Sequence, residues 1–175
     1  MTRVNLALLI LIACVASLPL FGGAYALRIG TIACMYAIFA LSWNIVGGFA
    51  GYPSFATAAF FGFGAYATAI LLNKGVPLSI AVTGSLVICF LLAAALGTVL
   101  LRLRGHYFAI ASLSLVEVFR ELVNNATDLT GGGMGLNIPL ASGSGILADA
   151  TFFFYAMWGL MLITAAVVMI VSASK

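Results

Sequence analysis

Charge is what this sequence lacks most. Seven Lys and Arg and four Asp and Glu among 175 residues make it 6% charged, where soluble domains carry about 25%. At 65% hydrophobic, it has too few polar side chains to clothe a water-soluble fold, so it reads as an integral membrane protein. The basic residues stand singly or in one close pair, so the net charge of +3 forms no basic patch and nucleic acid is not an expected partner. Cysteine is scarce, and Cys14, Cys34 and Cys89 each sit inside an apolar run with no CxxC and no neighbouring His. That argues against metal and disulfide roles and for small hydrophobes. Alternating polarity in strands of about ten residues, the mark of a membrane barrel, is also missing. The apolar runs are near-continuous, about twenty residues long, the length of a helix crossing about 30 Å of hydrocarbon. The expected fold is all-α: a polytopic bundle of about six membrane helices in contact with lipid, one pair separated by a Gly/Pro break.

The runs place helices at 6–21, 29–46, from the break to 72, 78–101, 106–125 and 151–171. Arg3, the first run and Ala24-Tyr25-Ala26 also match a secretory signal with an A-x-A cleavage site. The length of that run, and Arg28 with a second apolar segment directly after it, favour a retained first helix. Gly22, Gly23 and Arg28 are expected in a tight connection. Asn73, Lys74, Gly75 and Pro77 make a turn, since Gly ends helices and Pro starts them. Counting crossings from a cytoplasmic N-terminus puts Arg3, Arg102, Arg104 and Lys175 inside, with Arg28, Lys74 and the segment carrying Asp128 and Asp149 outside. This is the positive-inside bias.

Around the break, Gly47, Gly51, Pro53 and Ser54 interrupt the apolar pattern, predicting a helix break over 47–54. In the helix that follows, Ser54, Ala58, Gly62, Ala65 and Ala69 recur at helical spacing on one face, with bulky Phe55, Phe60, Phe61, Phe63 and Tyr66 mostly elsewhere. In lipid such a small-residue face supports close helix packing. It equally suits a broken helix lining a solute path.

The helix over 106–125 carries Ser114, Glu117, Arg120, Glu121 and Asn124 on one side, a stripe that cannot face lipid cheaply. Glu117 lies ten residues past Tyr107, about 15 Å along a helix rising 1.5 Å per residue and near the middle of a roughly 30 Å layer. Arg120 at i+3 is its expected partner, in a structural ion pair or in a polar pathway wall. The candidate path residues are Ser54, Ala58 and Gly62 together with Ser112, Ser114, Glu117 and Arg120. His106, beside Arg104 and Gly105, reads as interfacial. Residues 124–150 form the one long non-apolar segment, expected as a loop outside the membrane. Its TGGGMG run, Thr130 to Gly135, has neither the following Lys of a P-loop nor a flanking strand and helix, so flexible turn chemistry is expected there.

Three stretches carry a family resemblance. SWNIVGGFAGYPSFATAAFFGFGAYATAIL (42–71), RLRGHYFAIASLSLVEVFRELVNN (102–125) and LTGGGMGL (129–136) are similar, in order and spacing, to the permease subunits of bacterial ABC importers for branched-chain amino acids, urea or short amides. The resemblance implies a permease domain spanning 1–175 in the bacterial inner membrane. It also implies ATPase subunits that bind ATP, a second permease subunit and a periplasmic solute-binding protein. Thr130, Gly131, Gly132, Gly133 and Gly135 are candidates for docking that binding protein. The cytoplasmic Arg/Ala/Glu-rich loop with which such permeases dock onto the ATPase is not reached before Lys175, so the chain is expected to be an N-terminal portion.

Three functional readings follow. The first is a non-enzymatic permease moving a small polar solute by alternating access, with no cofactor of its own, since no Walker lysine is present. The second is a membrane-embedded enzyme using Glu117, Glu121 and His106 as acid and base, without H-E-x-x-H or G-x-S-x-G motifs. The third is a permease fragment inactive alone.

Overall fold

Residues 23–138 and 149–173, with Val15, Ser17 and Pro19, are described by the computed structural model. Apart from those three residues, the helix expected over 6–21 lies outside the described residues, as do Pro139 and the run from Ser142 to Gly145. Every regular element among the described residues is helical: α1 (Ala24–Trp43), a π-helical turn (Asn44–Phe49), α2 (Thr57–Asn73), α3 (Leu78–Leu100), α4 (His106–Asn125), a one-turn α5 (Thr127–Thr130), a 3-10 turn (Gly132–Met134) and α6 (Ala150–Ala173). Helix is the backbone solution lipid favours, because each N–H finds its carbonyl within the same segment. Two compact units result, one from Met1–Ile45 with Leu140–Lys175 and one from Val46–Pro139.

In the first unit α1 packs on α6. Phe154 is fully buried there, and Leu27 and Cys34 are buried on α1. The sequence placed Arg28 in a connection ahead of the second helix; it lies instead inside α1. Ala24, Tyr25 and Ala26 form the first turn, and the Leu27 N–H closes onto Gly23 O at 3.2 Å. Nothing in Ala-Tyr-Ala-Leu-Arg opposes helix, and a single arginine near a helix end can reach toward the headgroups.

In the second unit α2 and α3 form a hairpin and α4 lies on the other flank of α2. The connection is a Schellman cap: Val76 N–H reaches Leu71 O at 3.1 Å, Gly75 N–H reaches Leu72 O at 2.9 Å, and Gly75 sits at φ +79°. Pro77 then caps α3. The hairpin is drawn close where a Cβ on Gly64 would stand 3.4 Å from Cys89 Sγ, and one on Gly84 would stand 3.4 Å from Leu71 Cδ1. Thr68 Oγ1 donates to Ser85 Oγ at 2.8 Å across the same face. Away from α2, α3 presents Ile80, Leu86, Val87, Phe90 and Leu91 outward, a surface suited to lipid.

Among the described residues, three helices are long and apolar enough to cross a membrane, Ala24–Phe49, Leu78–Leu100 and Ala150–Ala173. α2 is apolar but only 17 residues long, and α4 has the length but carries Glu117, Arg120 and Glu121.

Candidate functional site

The break falls later than its glycines suggest. Gly47 and Gly48 remain inside the π-helical turn, and the non-helical run is 50–56, with α2 resuming at Thr57. Gly51 makes the exit at φ +73°, a conformation that L side chains avoid, and Pro53 biases Tyr52 away from helix. Ser54 therefore precedes α2 rather than starting its small face.

Buried contacts fasten this run to the first half of α4. The Phe55 N–H donates to Ser112 Oγ at 3.1 Å, and Ser112 Oγ donates to Ala109 O at 2.8 Å. The Ala56 N–H donates to Ser54 Oγ at 3.3 Å, and the Tyr52 and Phe108 rings meet at 5.0 Å. Ser54, Ala56, Phe108 and Ser112 are all buried, Ser112 completely. The serines answer N–H groups freed by the break, which lipid would leave unsatisfied.

Beyond the clamp, α2 and α4 run side by side and are spaced by aromatic rings, Phe119 lying 5.4 Å from Phe63 and 6.5 Å from Phe60. An open groove of about 250 Å³ results. Ala58, Ala59, Gly62, Phe63 and Tyr66 line it from α2, and Val116, Phe119, Arg120, Val123 and Asn124 from α4. Small residues on α2 leave this space: a Cβ on Gly62 would meet nothing within 4 Å, and Ala58 is exposed. The face expected to bring helices together at Ala58 and Gly62 is thus open within this chain. Close approach occurs on the opposite side of α2, at Gly64. The groove is apolar near Ala58, Ala59 and Val116, and its polar groups, Tyr66, Arg120 and Asn124, gather toward the C-terminal end of α4.

The expected ion pair is present, Arg120 Nη1 standing 3.5 Å from Glu117 Oε2. Both side chains are exposed, 72% and 67% respectively, so the pair contributes little by itself in water. The polar stripe of α4 divides. Arg120 and Asn124 edge the groove, whereas Ser114, Glu117 and Glu121 lie further round on the outward side. Ser114 donates to Ile110 O, and Asn125 Nδ2 donates to Glu121 Oε1 at 3.1 Å. His106 opens α4, eleven residues before Glu117, about 16 Å away at 1.5 Å per residue. The structure does not bring the proposed acid and base together.

The TGGGMG segment forms the expected turn, held by hydrogen bonds to the end of α4. Thr130 is buried, and its hydroxyl lies within hydrogen-bonding reach of Val123 O and, at 2.8 Å, Ala126 O, two carbonyls at the end of α4. It also accepts the Gly132 N–H at 3.2 Å. Gly131, Gly132 and Gly135 all have positive φ, and a Cβ on Gly131 would collide with Gly135 O. Only glycine fits there. Met134 projects outward, 96% exposed. Asn124 and Asn125 complete α4, as expected for a helix over 106–125.

Of the expected path residues, the groove collects Ala58, Gly62 and Arg120, the clamp collects Ser54 and Ser112, and Ser114 and Glu117 stand apart. Sequence reasoning does not mark Tyr66 on α2, or Val116, Phe119 and Val123 on α4, as groove residues. The last three recur at i, i+3 and i+7 on one face, but aromatic and β-branched residues at that spacing also describe ordinary packing.

Residues 25–174 match the protein family described as branched-chain amino acid transport system / permease component. Among curated proteins, the chain is 39% identical over 113 residues to the high-affinity branched-chain amino acid transport system permease protein LivM of Escherichia coli (strain K12), covering 62% of this chain and 26% of that protein. It is 34% identical over 137 residues to the LivM protein of Salmonella typhimurium, covering 76% of this chain and 32% of that one. The matched stretch thus spans about a quarter to a third of these relatives. No solved structure gives a significant match. With the match extending from the start of α1 through α6, the chain belongs to the branched-chain amino acid transport permease family and is a multi-pass membrane protein.

Proposed function

We propose that this chain forms part of the permease subunit of an ATP-driven importer for branched-chain amino acids or related small polar solutes, working by alternating access. The observation that carries the reading is the family match over 25–174, supported by the transport named in both LivM relatives. Six crossing helices with a cytoplasmic N-terminus, in a bacterial inner membrane, complete the arrangement, α2 and α4 crossing with the apolar helices. ATPase subunits, a second permease subunit and a periplasmic solute-binding protein are the partners, and the chain itself is not an enzyme. The α2–α4 groove is the candidate stretch of the solute path. Its small floor at Ala58 and Gly62 leaves room, and Arg120, Asn124 and Tyr66 offer polar contacts at one end. The Thr130 to Gly135 turn is the candidate docking point for the binding protein.

The test is ATP-dependent solute uptake by the assembled importer in proteoliposomes. Gly62→Leu fills the groove and is expected to lower uptake at least tenfold while leaving the assembly intact. Unchanged uptake in that variant would remove the groove from the path, and an unsubstituted assembly unable to take up any such solute would remove the transport reading itself.

A further inference from the structure

Ser112 has both of its hydroxyl's bonds engaged within the chain. Its side chain is completely buried, its single hydroxyl proton goes to Ala109 O at 2.8 Å, and it accepts the Phe55 N–H at 3.1 Å. The non-helical run 50–56 makes three backbone N–H bonds outside the helix ladders. Tyr52 to Val46 O and Ala56 to Ser54 Oγ are local. Phe55 to Ser112 reaches another element, 57 positions along the chain. The Tyr52–Phe108 ring contact lies one turn away on α4 and works in the same direction.

The body of α2 is held differently, to α3, by the Thr68–Ser85 hydrogen bond and the close contacts at Gly64 and Gly84. Toward α4 it faces an open groove bridged by the Phe119 ring. The entry to α2 is thus fastened to one helix and its body to another. If the groove changes width, the chain must flex between these attachments.

We propose that Ser112 is a positioning residue that keeps the broken segment 50–56 fixed to α4 through the transport cycle, so that the segment travels with α4 while α2 travels with α3. This rests on the transport reading above. The bend falls where 50–56 meets Thr57, with Gly51 at the other end free of Cβ constraints.

The test compares Ser112→Ala and Ser112→Thr in the assembled importer. Ser112→Ala is expected to assemble in normal yield, to lose at least tenfold in maximal ATP-driven uptake, and to keep its half-saturating solute concentration within twofold. Ser112→Thr retains a hydroxyl that can bond one turn back and is expected to recover uptake to within threefold. An unchanged maximal rate for Ser112→Ala beside an active unsubstituted importer overturns the proposal. So does a raised half-saturating concentration at unchanged maximal rate, which would make Ser112 a solute contact. If Ser112→Ala does not assemble, hydrogen exchange at the Phe55 amide of the unsubstituted importer decides. Equal protection in nucleotide-free and nucleotide-trapped states supports a clamp that holds throughout, and loss of protection in either state overturns it. An unsubstituted importer without uptake would count against the transport reading alone, and the exchange measurement would still judge the clamp.

Discussion

On its α3 flank, α2 meets its neighbour at the separation small residues permit, with Gly64 against Cys89, Gly84 against Leu71 and one hydroxyl pair between them. On its α4 flank the same helix is held off by Phe60, Phe63 and Phe119, and a groove of about 250 Å³ remains. Within lipid, burying apolar surface supplies no drive for one helix to choose another, so contact quality decides. The tight flank gains van der Waals contact along its length and one polar bond. The loose flank gains contact only at its rings and at the clamp below them. A helix built this way has one side suited to permanence and one suited to change.

The turn that closes α4 should give the largest effect. Gly131→Ala would drive a Cβ into Gly135 O, in a backbone conformation that by itself costs a non-glycine residue about 1–2 kcal/mol. The neighbour is backbone and has little room to yield. Losing the turn would free the Thr130 cap on α4 and, with it, the outer wall of the groove. Yield and thermal midpoint of the detergent-purified assembly should fall sharply; a midpoint within two degrees of the unsubstituted protein would show that the loose flank needs no fixture at its end.

A smaller loss is expected on the tight flank. Gly64→Leu drives a side chain into Cys89, an overpacking that costs about 1–3 kcal/mol, and should lower the thermal midpoint. Thr68→Val, which removes the bond to Ser85, should cost about 0.6 kcal/mol, as interhelical hydrogen bonds in membranes generally do. If Gly64→Leu proves as mild as Thr68→Val, the two flanks of α2 are equally permissive and the contrast fails.

The smallest effect should come from Gly62→Ala. Its Cβ meets nothing within 4 Å, and alanine favours helix over glycine by about 0.8–1.0 kcal/mol. The thermal midpoint should hold or rise slightly. A clear fall would mean that another helix of the assembly approaches closely at Gly62.

Several of these features could be read from residues in order. The spans expected at 78–101 and 106–125 match Leu78–Leu100 and His106–Asn125, the Gly75 and Pro77 signals mark the observed cap, and the i+3 spacing of Glu117 and Arg120 gives the observed pair. Local chemistry sets each of these within one or two turns. Break placement was less legible. Five glycines and a proline near 47–64 each weaken helix, but only Gly51 adopts a conformation that ends one.

The helical class follows from composition alone, because apolar runs of spanning length in lipid must satisfy their backbone internally. Which flank of α2 would close was not written there. Small residues occur on two sides of that helix, and periodicity favours the side of Ala58 and Gly62, whereas the close contact forms at Gly64 on the other. Tertiary structure decided it through α3, whose Ser85 and Gly84 meet the Gly64 side, and through α4, whose Phe119 props the other side open. The same holds for Ser112. A serine inside an apolar helix predicts only a local bond to its own helix, and its second partner, the Phe55 N–H, is set by folding across 57 residues.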